Sequence, residues 1–307
     1  MRQLVPAPGL GDADLPAPGL GDADLPAPGL GDADLPAPGL GDADLAALYA
    51  YPPGPCVRGN MVASADGAAS LGGVSAGLSS VADRQVFFLL RALADVIVVG
   101  AGTVRAEGYG PARPSRLWPH LRDGRPATAP IAVVSARLDL DPESQLFTEA
   151  GPDARTIVIT SAAAPQDLLA KLARNADVIT AGEAAIDLNA AVRALADRGH
   201  RRVLTEGGPH LLGQLAAAGL LDELCLTTGP LLAGPGADRI LTGEPFPAGP
   251  LPLDLAHVLE DRGFLLCRYT RKTPLSRTAS CASPASAFRA LEAAPARTRP
   301  PRRRRGR

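Results

Sequence analysis

The stretch 201–214, with the sequence RRVLTEGGPHLLGQ, constrains the fold more than any other part of this chain. Its short apolar run at 203–205 predicts a buried strand. Gly207 and Gly208 end that strand, and Pro209 suits the first turn of a helix, where a missing N–H breaks no hydrogen bond. Leucines at helical spacing then supply an apolar helix face. The chain must therefore pass from a strand through a tight turn directly into a helix.

The start of that helix is a predicted anion site. Its first backbone N–H groups have no partners within the helix, and the helix dipole favours negative charge there. Glu206 stands at the carboxyl end of the strand, where open α/β sheets place their ligands. Its carboxylate suits a ligand hydroxyl or amine better than a phosphate. A Gly-Gly pair that forms only a tight connection is the alternative, because the motif is not GxGxxG.

Charge is distributed unevenly along the 307 residues, although the net charge is only −1. Residues 1–45 carry a net charge of −7, residues 272–307 carry +9, and the middle of the chain carries −3. The middle therefore offers no electrostatic reason to bind nucleic acid. The whole chain has 46% hydrophobic residues, so a sizeable core is possible.

The spacing of cysteines and histidines argues against a metal site and against disulfides. Cys56, Cys225, Cys267 and Cys281 form no CxxC pair, and the four histidines form no HxxxH motif. Free thiols in apolar runs are typical of a reducing compartment. We find neither a signal peptide nor an apolar run near the roughly 20 residues that span a bilayer. We therefore expect a cytoplasmic protein that holds no metal and contacts no membrane.

The two ends of the chain differ in composition from its middle. Residues 6–45 are four identical copies of PAPGLGDADL, a unit too short and too rich in Pro, Gly and Asp to bury a face. We predict a disordered repeat arm over 1–45, a single domain over 46–271 and a disordered Ala/Pro/Arg-rich tail over 272–307. Within the last repeat, Asp42 or Asp44 is expected to cap a short helix. The Arg-rich tail makes nucleic-acid binding possible in principle, but no fold motif accompanies it, so nucleic acid is an unlikely partner.

Short apolar runs alternate with helical patterns through the middle of the chain. Strands are predicted at 56–65, 95–100, 131–135, 156–160, 177–180, 203–205, 223–228, 253–260 and 263–270, and helices at 80–94, at 186–198 and after Pro209. This order predicts a three-layer α/β fold. Its mixed sheet is mainly parallel, has helices on both faces and ends in a C-terminal antiparallel hairpin.

Three glycine-marked strand ends are candidates for one ligand-binding edge: SADG at 64–67, GAGT at 100–103 and EGG at 206–208. The longer segments around them are VASADG (62–67), LSSVADRQVFFLLRALADVIVVGAGTVRAEGYGPAR (78–113) and VLTEGGPHLLGQL (203–215). Together they resemble the reductase domain of riboflavin biosynthesis, the pyrimidine reductase family with a dihydrofolate-reductase-like fold. The resemblance covers about 46–271.

The resemblance implies an NADPH-dependent oxidoreductase. Its implied substrate is 5-amino-6-(5-phosphoribosylamino)uracil, whose ribose opens to a ribitol when hydride reaches C1′. The implied cofactor contacts are Val62 and Ala63 at the nicotinamide half, Thr103 and Glu107, Ser135 on the adenosine side, and Gly207, Gly208, Pro209, His210, Leu211, Leu212, Gly213 and Gln214 around the pyrophosphate. The implied substrate contacts are Ser75, Arg91, Arg113 and Glu206. Two arginines suit a phosphomonoester, which a guanidinium can bind through two parallel hydrogen bonds.

Glu206 and Asp66 are the candidate catalytic residues, although Asp66 has the alternative role of forming a turn. The resemblance also implies a homodimer. Two other functions stay open. One is a reductase of this fold that acts on another small heterocycle, such as a pterin or a drug-like molecule. The other is a non-catalytic nucleotide-binding or nucleic-acid-associated protein that uses its basic tail. Fold and cofactor site alone do not determine the substrate.

Overall fold

Within residues 1–5 and 40–272, which the computed structural model describes, ten strands form one sheet. In chain order they are β1 Arg2–Val5, β2 Cys56–Ser64, β3 Val96–Gly100, β4 Ile131–Val134, β5 Ile157–Thr160, β6 Asp177–Thr180, β7 Arg202–Thr205, β8 Glu223–Gly229, β9 Leu253–Asp261 and β10 Phe264–Arg271. Their order across the sheet is β1-β9-β10-β8-β2-β7-β3-β4-β5-β6. The central strands, from β8 through β2 and β7 to β6, pair in parallel, and β8, β10, β9 and β1 pair antiparallel.

Seven α-helices accompany these strands in the same described residues. They are α1 Asp42–Leu48, α2 Val81–Leu93, α3 Ala101–Ala106, α4 Gln145–Thr148, α5 Gln166–Leu172, α6 Leu188–Asp197 and α7 Pro209–Ala217. The start expected for α2 is confirmed, since the Ser80 hydroxyl accepts a hydrogen bond from the N–H of Asp83 at 3.1 Å. No helix in this part of the chain is both long and apolar enough to cross a bilayer.

The core lies on both faces of the sheet because neighbouring residues of each strand point to opposite sides. In β3, Ile97 and Val99 pack with residues of α1, α2 and α5, whereas Val96 and Val98 pack with residues of α6 and α7. Helices therefore cover the sheet on both faces. The predicted α/β fold, with its mainly parallel sheet and C-terminal antiparallel hairpin, is confirmed.

The structured part of the chain begins earlier than the boundary predicted at residue 46. Leu40, Leu45 and Leu48 are buried in the core. Helix α1 begins at Asp42, and its N-cap is Gly41, which has no side chain that could cap it. The predicted capping by Asp42 or Asp44 is therefore wrong. Leu40 and Leu45 belong to the repeat, whose composition concealed their contribution to the core. In addition, β1 extends the sheet beyond β9. Most of the repeat, residues 6–39, and the tail from residue 273 lie outside the described residues.

A buried ionic cluster holds α1 against the sheet. The fully buried Arg58 on β2 donates Nε–H to Glu223 Oε2 at 2.6 Å and Nη1–H to the carbonyl of Tyr49 at 2.6 Å. Arg268 on β10 donates Nη2–H to Glu223 Oε1 at 2.7 Å and Nη1–H to the carbonyl of Leu48 at 2.7 Å. One carboxylate thus joins two arginines, and both arginines cap the carboxyl end of α1.

His257 on β9 makes the stability of this region depend on pH. It is fully buried, its two ring nitrogens have no partner among the described residues, and its ring meets Tyr49 edge-on at 4.7 Å. Burial, then the charges of Arg268 and Arg58, lower the pKa of His257 to about 3. In the unfolded chain the pKa is about 6.5. The stability that neutral His257 contributes is therefore complete above about pH 6.5 and is lost as the pH falls from there.

We expect the His257→Phe variant to be less sensitive to acid than the natural protein. Phenylalanine keeps a ring against Tyr49 but cannot bind a proton. Below about pH 6.5, the natural protein should lose roughly 1.4 kcal/mol per pH unit that the variant does not lose. Urea unfolding of both proteins at pH 7 and pH 5.5 measures the difference. Parallel changes in their free energies of unfolding would contradict a neutral buried His257.

Candidate active site

Several of the residues that the sequence singled out follow the carboxyl ends of four adjacent strands. These strands are β2, β7, β3 and β4, which are neighbours in that order and run parallel. The strands end at this edge with Ser64 on β2, Thr205 on β7, Gly100 on β3 and Val134 on β4. The crevice outside the carboxyl ends of parallel strands is the usual ligand site of open α/β sheets.

Arg91, Tyr109 and Glu206 form the central polar group of this edge. Arg91 binds the carboxylate side-on, with Nε to Oε1 and Nη2 to Oε2 both at 2.7 Å, and the Tyr109 hydroxyl donates to Oε2 at 2.8 Å. The side chain of Glu206 is 2% exposed and that of Arg91 is 19% exposed. Arg91 also stacks over Phe87, with its guanidinium carbon 4.3 Å from the ring centroid. This packing and hydrogen bonding hold Glu206 in one orientation.

The protonation states in this group follow from its burial and its ion pair. Burial, and then the charge of Glu206, raise the pKa of Tyr109 well above its usual value, so its hydroxyl is the donor. Burial acts to lower the pKa of Arg91, but the charge and hydrogen bonds of Glu206 outweigh it and raise that pKa overall. Arg91 is therefore a permanent cation beside a carboxylate.

The start of α7 is the place where the sequence predicts an anion site. Gly208 is the N-cap of α7. The first hydrogen bond of the helix runs from the Leu212 N–H to the Gly208 carbonyl at 3.1 Å. The N–H groups of His210 and Leu211 come before this bond and therefore have no acceptor within the helix. A Cβ at Gly208 would stand 2.6 Å from the Thr103 hydroxyl oxygen on α3. The Gly207 carbonyl accepts a hydrogen bond from Gly100 at 3.0 Å. Glycine backbone and a threonine hydroxyl thus line a narrow cradle at a helix start, where unpaired N–H groups favour an anion.

The later residues of the predicted pyrophosphate run are used for packing. Leu211 and Leu212 are buried in separate clusters on α7, and a Cβ at Gly213 would stand 2.2 Å from the carbonyl oxygen of Thr242. Because Gly213 has no side chain, the loop that follows β8 can pack directly against the backbone of α7. Pro209 occupies the first helical turn, and the exposed Gln214 and His210 lie on the surface. The cradle is built from the first turn of α7.

Within the described residues, strand β2 has a partner strand on one side only beyond Gly59. Its pairing with β7 ends at Gly59, whereas its pairing with β8 continues to Ser64. Val62 and Ala63 lie in this open stretch, further along β2 than Gly59, which pairs with Thr205 at the end of β7. Extended backbone without a second partner strand can exchange hydrogen bonds with an amide group of a ligand.

Ser75 and Glu107 meet at the entrance to the edge. The backbone N–H of Ser75 donates to Glu107 Oε1 at 2.8 Å, so the carboxylate anchors the loop that precedes α2. Ser135 directly follows β4 and is 5% exposed, with its N–H bonded to the carbonyl of Ile159 at 3.0 Å.

Asp66 links two loops at the end of β2. It accepts hydrogen bonds from the Ser64 hydroxyl, from the N–H of Ala233 at 3.0 Å and from the N–H of Gly234 at 2.8 Å. These bonds, that of Ser64 first, lower the pKa of Asp66 to about 2. An acid with so low a pKa stays ionised near neutral pH. The observed contacts accord with the turn-forming alternative for Asp66.

A cavity of about 490 Å³ lies beside Arg91. Four arginines are among the residues that line it: Arg91, Arg113, Arg116 and Arg122. The Arg113 side chain is 74% exposed and forms a long ion pair of 3.5 Å with Glu149. Arg122 is used structurally, since its Nε donates to the carbonyl of Pro126 at 2.8 Å. The positive charge of this cavity, next to Glu206, suits a phosphate group.

Sequence reasoning gave Tyr109 no role in this site. It lies two residues after Glu107 in a loop, and nothing in its spacing indicated a contact with Glu206, which lies 97 residues further along the chain. In the described part of the chain, no group of three His, Cys, Asp or Glu residues is arranged to hold a metal ion.

Comparisons with known proteins agree on one family. The model of the RibD C-terminal domain matches residues 55–263. The 2,5-diamino-6-ribosylamino-4(3H)-pyrimidinone 5′-phosphate reductase of Archaeoglobus fulgidus is 30% identical over 172 residues, which cover 55% of this chain and 77% of the relative. The riboflavin biosynthesis protein RibD of Mycobacterium tuberculosis is 33% identical over 182 residues, which cover 59% of this chain but 43% of the relative.

A search of solved structures also finds a similar protein. A pyrimidine reductase-like protein from Corynebacterium diphtheriae superposes with a TM-score of 0.66 at 29% identity, covering 71% of this chain and 92% of that chain. The family match takes in the whole edge described above, from the open stretch of β2 to the start of α7. The chain therefore belongs to the family of the RibD C-terminal domain, a family of reductases.

Proposed function

We propose that this protein reduces a phosphoribosylamino-pyrimidine with NADPH in riboflavin biosynthesis. The observation that supports this most strongly is the position of the Arg91–Glu206–Tyr109 group. It lies between a glycine cradle suited to a dinucleotide phosphate and an arginine-lined cavity suited to a sugar phosphate. Family membership supports the same reaction class, since the relatives named above are reductases or proteins of riboflavin biosynthesis.

Glu206 is suited to hold a ribose hydroxyl. A carboxylate offers about four acceptor positions, and Arg91 and Tyr109 occupy three of them. Among the described residues Oε1 accepts one hydrogen bond, from Arg91 Nε, so one of its acceptor positions is left for a ligand. A carboxylate that is already oriented by two donors can position a ligand hydroxyl with little further loss of freedom.

The arginines are suited to the phosphate of the substrate. The side-on pair with Glu206 involves Nε and Nη2 of Arg91 and leaves Nη1 outside that pair. Arg113 reaches the same cavity from the loop after α3 and is bound only weakly. In this arrangement Glu206 holds the sugar, the arginines hold its phosphate, and C1′ is positioned between them.

NADPH would supply the hydride, and the residues of this chain would position it. The cradle formed by Gly207, Gly208 and Thr103 would hold the pyrophosphate, and the open stretch of β2 at Val62 and Ala63 would contact the nicotinamide half. The catalytic contribution of these groups is orientation and electrostatic complementarity. Asp66 is too fully occupied by Ser64, Ala233 and Gly234 for us to give it a chemical step.

Loss of the near-ultraviolet absorbance of NADPH tests the reaction. The purified protein is offered 5-amino-6-(5-phosphoribosylamino)uracil, the corresponding diaminopyrimidinone phosphate, each compound without its phosphate, and a dihydropterin. We expect turnover with at least one phosphorylated pyrimidine and weak turnover after phosphate removal. Turnover of the pterin alone would favour the other heterocycle function, and turnover of none of them would contradict the proposal.

A bulky residue at Gly208 is expected to weaken NADPH binding before it weakens the fold. The Cβ of Gly208→Val would meet the Thr103 hydroxyl and crowd the cradle. We expect the dissociation constant for NADPH, measured by fluorescence titration, to rise at least about tenfold, since loss of one charge-assisted hydrogen bond has that effect. The control is Gly151→Val, at a loop glycine whose Cβ would have no neighbour within 4 Å. Unchanged NADPH binding by a folded Gly208→Val protein would place the cradle elsewhere.

The working form is proposed to be a cytoplasmic homodimer. Three leucines on the antiparallel part of the sheet are exposed, Leu4 on β1 at 46%, Leu255 on β9 at 44% and Leu265 on β10 at 38%. Exposed apolar surface of this kind is typical of an interface. The cysteines Cys56, Cys225 and Cys267 are free, as expected in a reducing compartment. Sedimentation velocity would contradict the dimer if it gave the mass of one chain at micromolar concentration.

A further inference from the structure

We propose that Asp66 is a positioning residue for the cofactor, because it holds the loop that joins the two elements on which the dinucleotide would lie. This loop consists of residues 230–243, which follow β8, and we call it the strap. The inference rests on the proposed function, since the two elements are the open stretch of β2 and the glycine cradle. It gives Asp66 a role that requires no chemical step.

The first part of the strap is bound to the turn that follows β2. The Ala65 N–H donates to the Leu231 carbonyl at 2.9 Å. Further along, the Ala69 N–H donates to the Asp238 carbonyl at 2.7 Å. The strap therefore lies against the chain directly beyond the open stretch of β2.

Asp66 adds a side-chain contact between these two backbone bonds. Its Oδ1 accepts from the Ala233 N–H at 3.0 Å, and its Oδ2 accepts from the Gly234 N–H at 2.8 Å. The Ser64 hydroxyl, on the last residue of β2, also donates to this carboxylate. Because these hydrogen bonds lower the pKa of Asp66 to about 2, the carboxylate keeps its charge near neutral pH. A charged acceptor binds backbone N–H groups more strongly than a neutral one does.

The last part of the strap is bound to the start of α7. The Thr242 N–H donates to the Pro209 carbonyl at 3.1 Å. A Cβ at Gly213 would stand 2.2 Å from the Thr242 carbonyl oxygen, so strap and helix backbones are in close contact. The strap thus contacts the helix immediately after Gly208, on which the cradle is built.

The middle of the strap packs against both elements. Ile240 and Leu241 lie against an apolar cluster that includes Met61 of β2 and Leu212 of α7. Met61 also lies beside the turn that precedes α7, since a Cβ at Gly207 would stand 3.2 Å from its sulfur. A displacement of the strap at its β2 end would therefore be transmitted to the cradle.

A ligand that binds two elements is bound more tightly when those elements are already fixed relative to each other. Otherwise binding must order them, and the loss of conformational freedom weakens the affinity. A ligand that contacts only one element does not incur this cost. Asp66 should therefore matter for the whole dinucleotide and not for a fragment that carries only its phosphates.

Binding titrations with the full-length protein test this role without any turnover. NADPH is titrated into the natural protein, Asp66→Ala, Asp66→Asn and the control Asp238→Ala, which removes an exposed carboxylate of the strap but keeps its backbone carbonyl. We expect Asp66→Ala to bind NADPH roughly 2- to 13-fold more weakly, the effect of losing one net hydrogen bond. Asp66→Asn keeps one acceptor oxygen and should lose less, and Asp238→Ala should bind NADPH as the natural protein does.

Adenosine 5′-diphosphate tests whether the effect depends on both elements. It carries two phosphates for the cradle but no nicotinamide, and competition with NADPH measures its affinity. We expect it to bind the natural protein and Asp66→Ala equally well. An equal loss of affinity for both ligands would show that Asp66 supports the cradle alone and would overturn the inference.

Hydrogen exchange of individual amides distinguishes positioning from a purely local contact. Without the carboxylate, the amides of Ala233 and Gly234 should exchange faster in Asp66→Ala. The amide of Thr242, at the other end of the strap, should also exchange faster, whereas the amides of β4 should exchange as in the natural protein. An unchanged rate at Thr242 would overturn transmission along the strap.

The outcomes separate this inference from the proposed function. A natural protein that binds NADPH, together with a folded Asp66→Ala protein that binds it equally well, would overturn the role of Asp66 and leave the reductase intact. If Asp66→Ala does not fold, natural NADPH affinity in Asp66→Asn would overturn the same role. A natural protein that binds no dinucleotide would overturn both proposals.

Discussion

Glu206→Gln is expected to lower kcat/KM for the phosphorylated pyrimidine by roughly 10- to 150-fold, while the protein remains folded and binds NADPH. The range corresponds to the loss of one charge-assisted hydrogen bond, about 1.5–3 kcal/mol. Glutamine has nearly the same shape, but one of its two terminal atoms becomes a donor. The glutamine NH2 group cannot accept a hydrogen bond from Arg91, so only one of the two bonds that Arg91 now makes to Glu206 at 2.7 Å could remain. The ligand hydroxyl would lose a fixed acceptor.

Steady-state kinetics with both substrates varied measures this change. The effect should appear mainly in kcat, because misplacement of C1′ affects the reacting geometry more than ground-state binding. Tyr109→Phe is the matched control, since it removes one donor to Glu206 and keeps the charge and the ring. It should lower kcat/KM by no more than about tenfold, in line with a single hydrogen bond of 0.5–1.5 kcal/mol. A Glu206→Gln protein with natural kcat/KM would remove Glu206 from the site.

The sequence was sufficient to predict the central part of this fold. Apolar runs such as 203–205 are short and bounded by glycines, which makes them recognisable as buried strands. The turn at Gly207 and Gly208 has few alternatives, because it must connect a strand to a helix that begins with Pro209. These local patterns predicted the parallel sheet, and their position at strand ends predicted a shared ligand edge.

Contacts between distant segments could not be predicted in the same way. Periodicity shows that Arg91 is on α2 and Glu206 follows β7, but not that they form an ion pair, which depends on how α2 packs on the sheet. Tyr109 and Asp66 lie in loops, where no period exists to orient a side chain. The repeat was misleading for a different reason, because all four copies have the same composition and nothing in it distinguishes the last one. Leu40 in that last copy is buried, whereas the matching leucines of the other copies lie outside the described residues.

The buried ionic cluster is a second contact between distant segments that the sequence could not predict. Its disruption is the change from which we expect the largest effect on stability. Glu223 on β8, Arg58 on β2 and Arg268 on β10 lie on three neighbouring strands, whose pairing no local pattern specifies. Arg58 is fully buried and the side chain of Glu223 is 5% exposed. A buried charge that loses its partner is strongly destabilising, because neither water nor another ion replaces it.

Glu223→Gln is therefore expected to lower the free energy of unfolding by about 3–5 kcal/mol. Arg58 would keep its bonds to the carbonyls of Tyr49 and Ala50 but would face Arg268 across a neutral amide. For a folded region of this size, each 1 kcal/mol shifts Tm by roughly 2–4 °C, so a loss of about 6–20 °C should be seen by calorimetry. Glu244→Gln, at an exposed glutamate, is the matched control and should leave Tm within about 1–2 °C of the natural protein, since exposed substitutions change stability by about 0.5 kcal/mol or less.

Because both arginines hold the carboxyl end of α1, the damage from Glu223→Gln should spread from the ionic cluster to that helix. Hydrogen exchange of the α1 amides should accelerate more than that of the amides of β4 and β5, which lie across the sheet from the cluster. NADPH binding at the carboxyl ends of β7 and β3 should persist at temperatures where the variant is still folded. A Glu223→Gln protein as stable as Glu244→Gln would show that Arg58 and Arg268 do not depend on this carboxylate, and that the backbone carbonyls at the end of α1 suffice to compensate both charges.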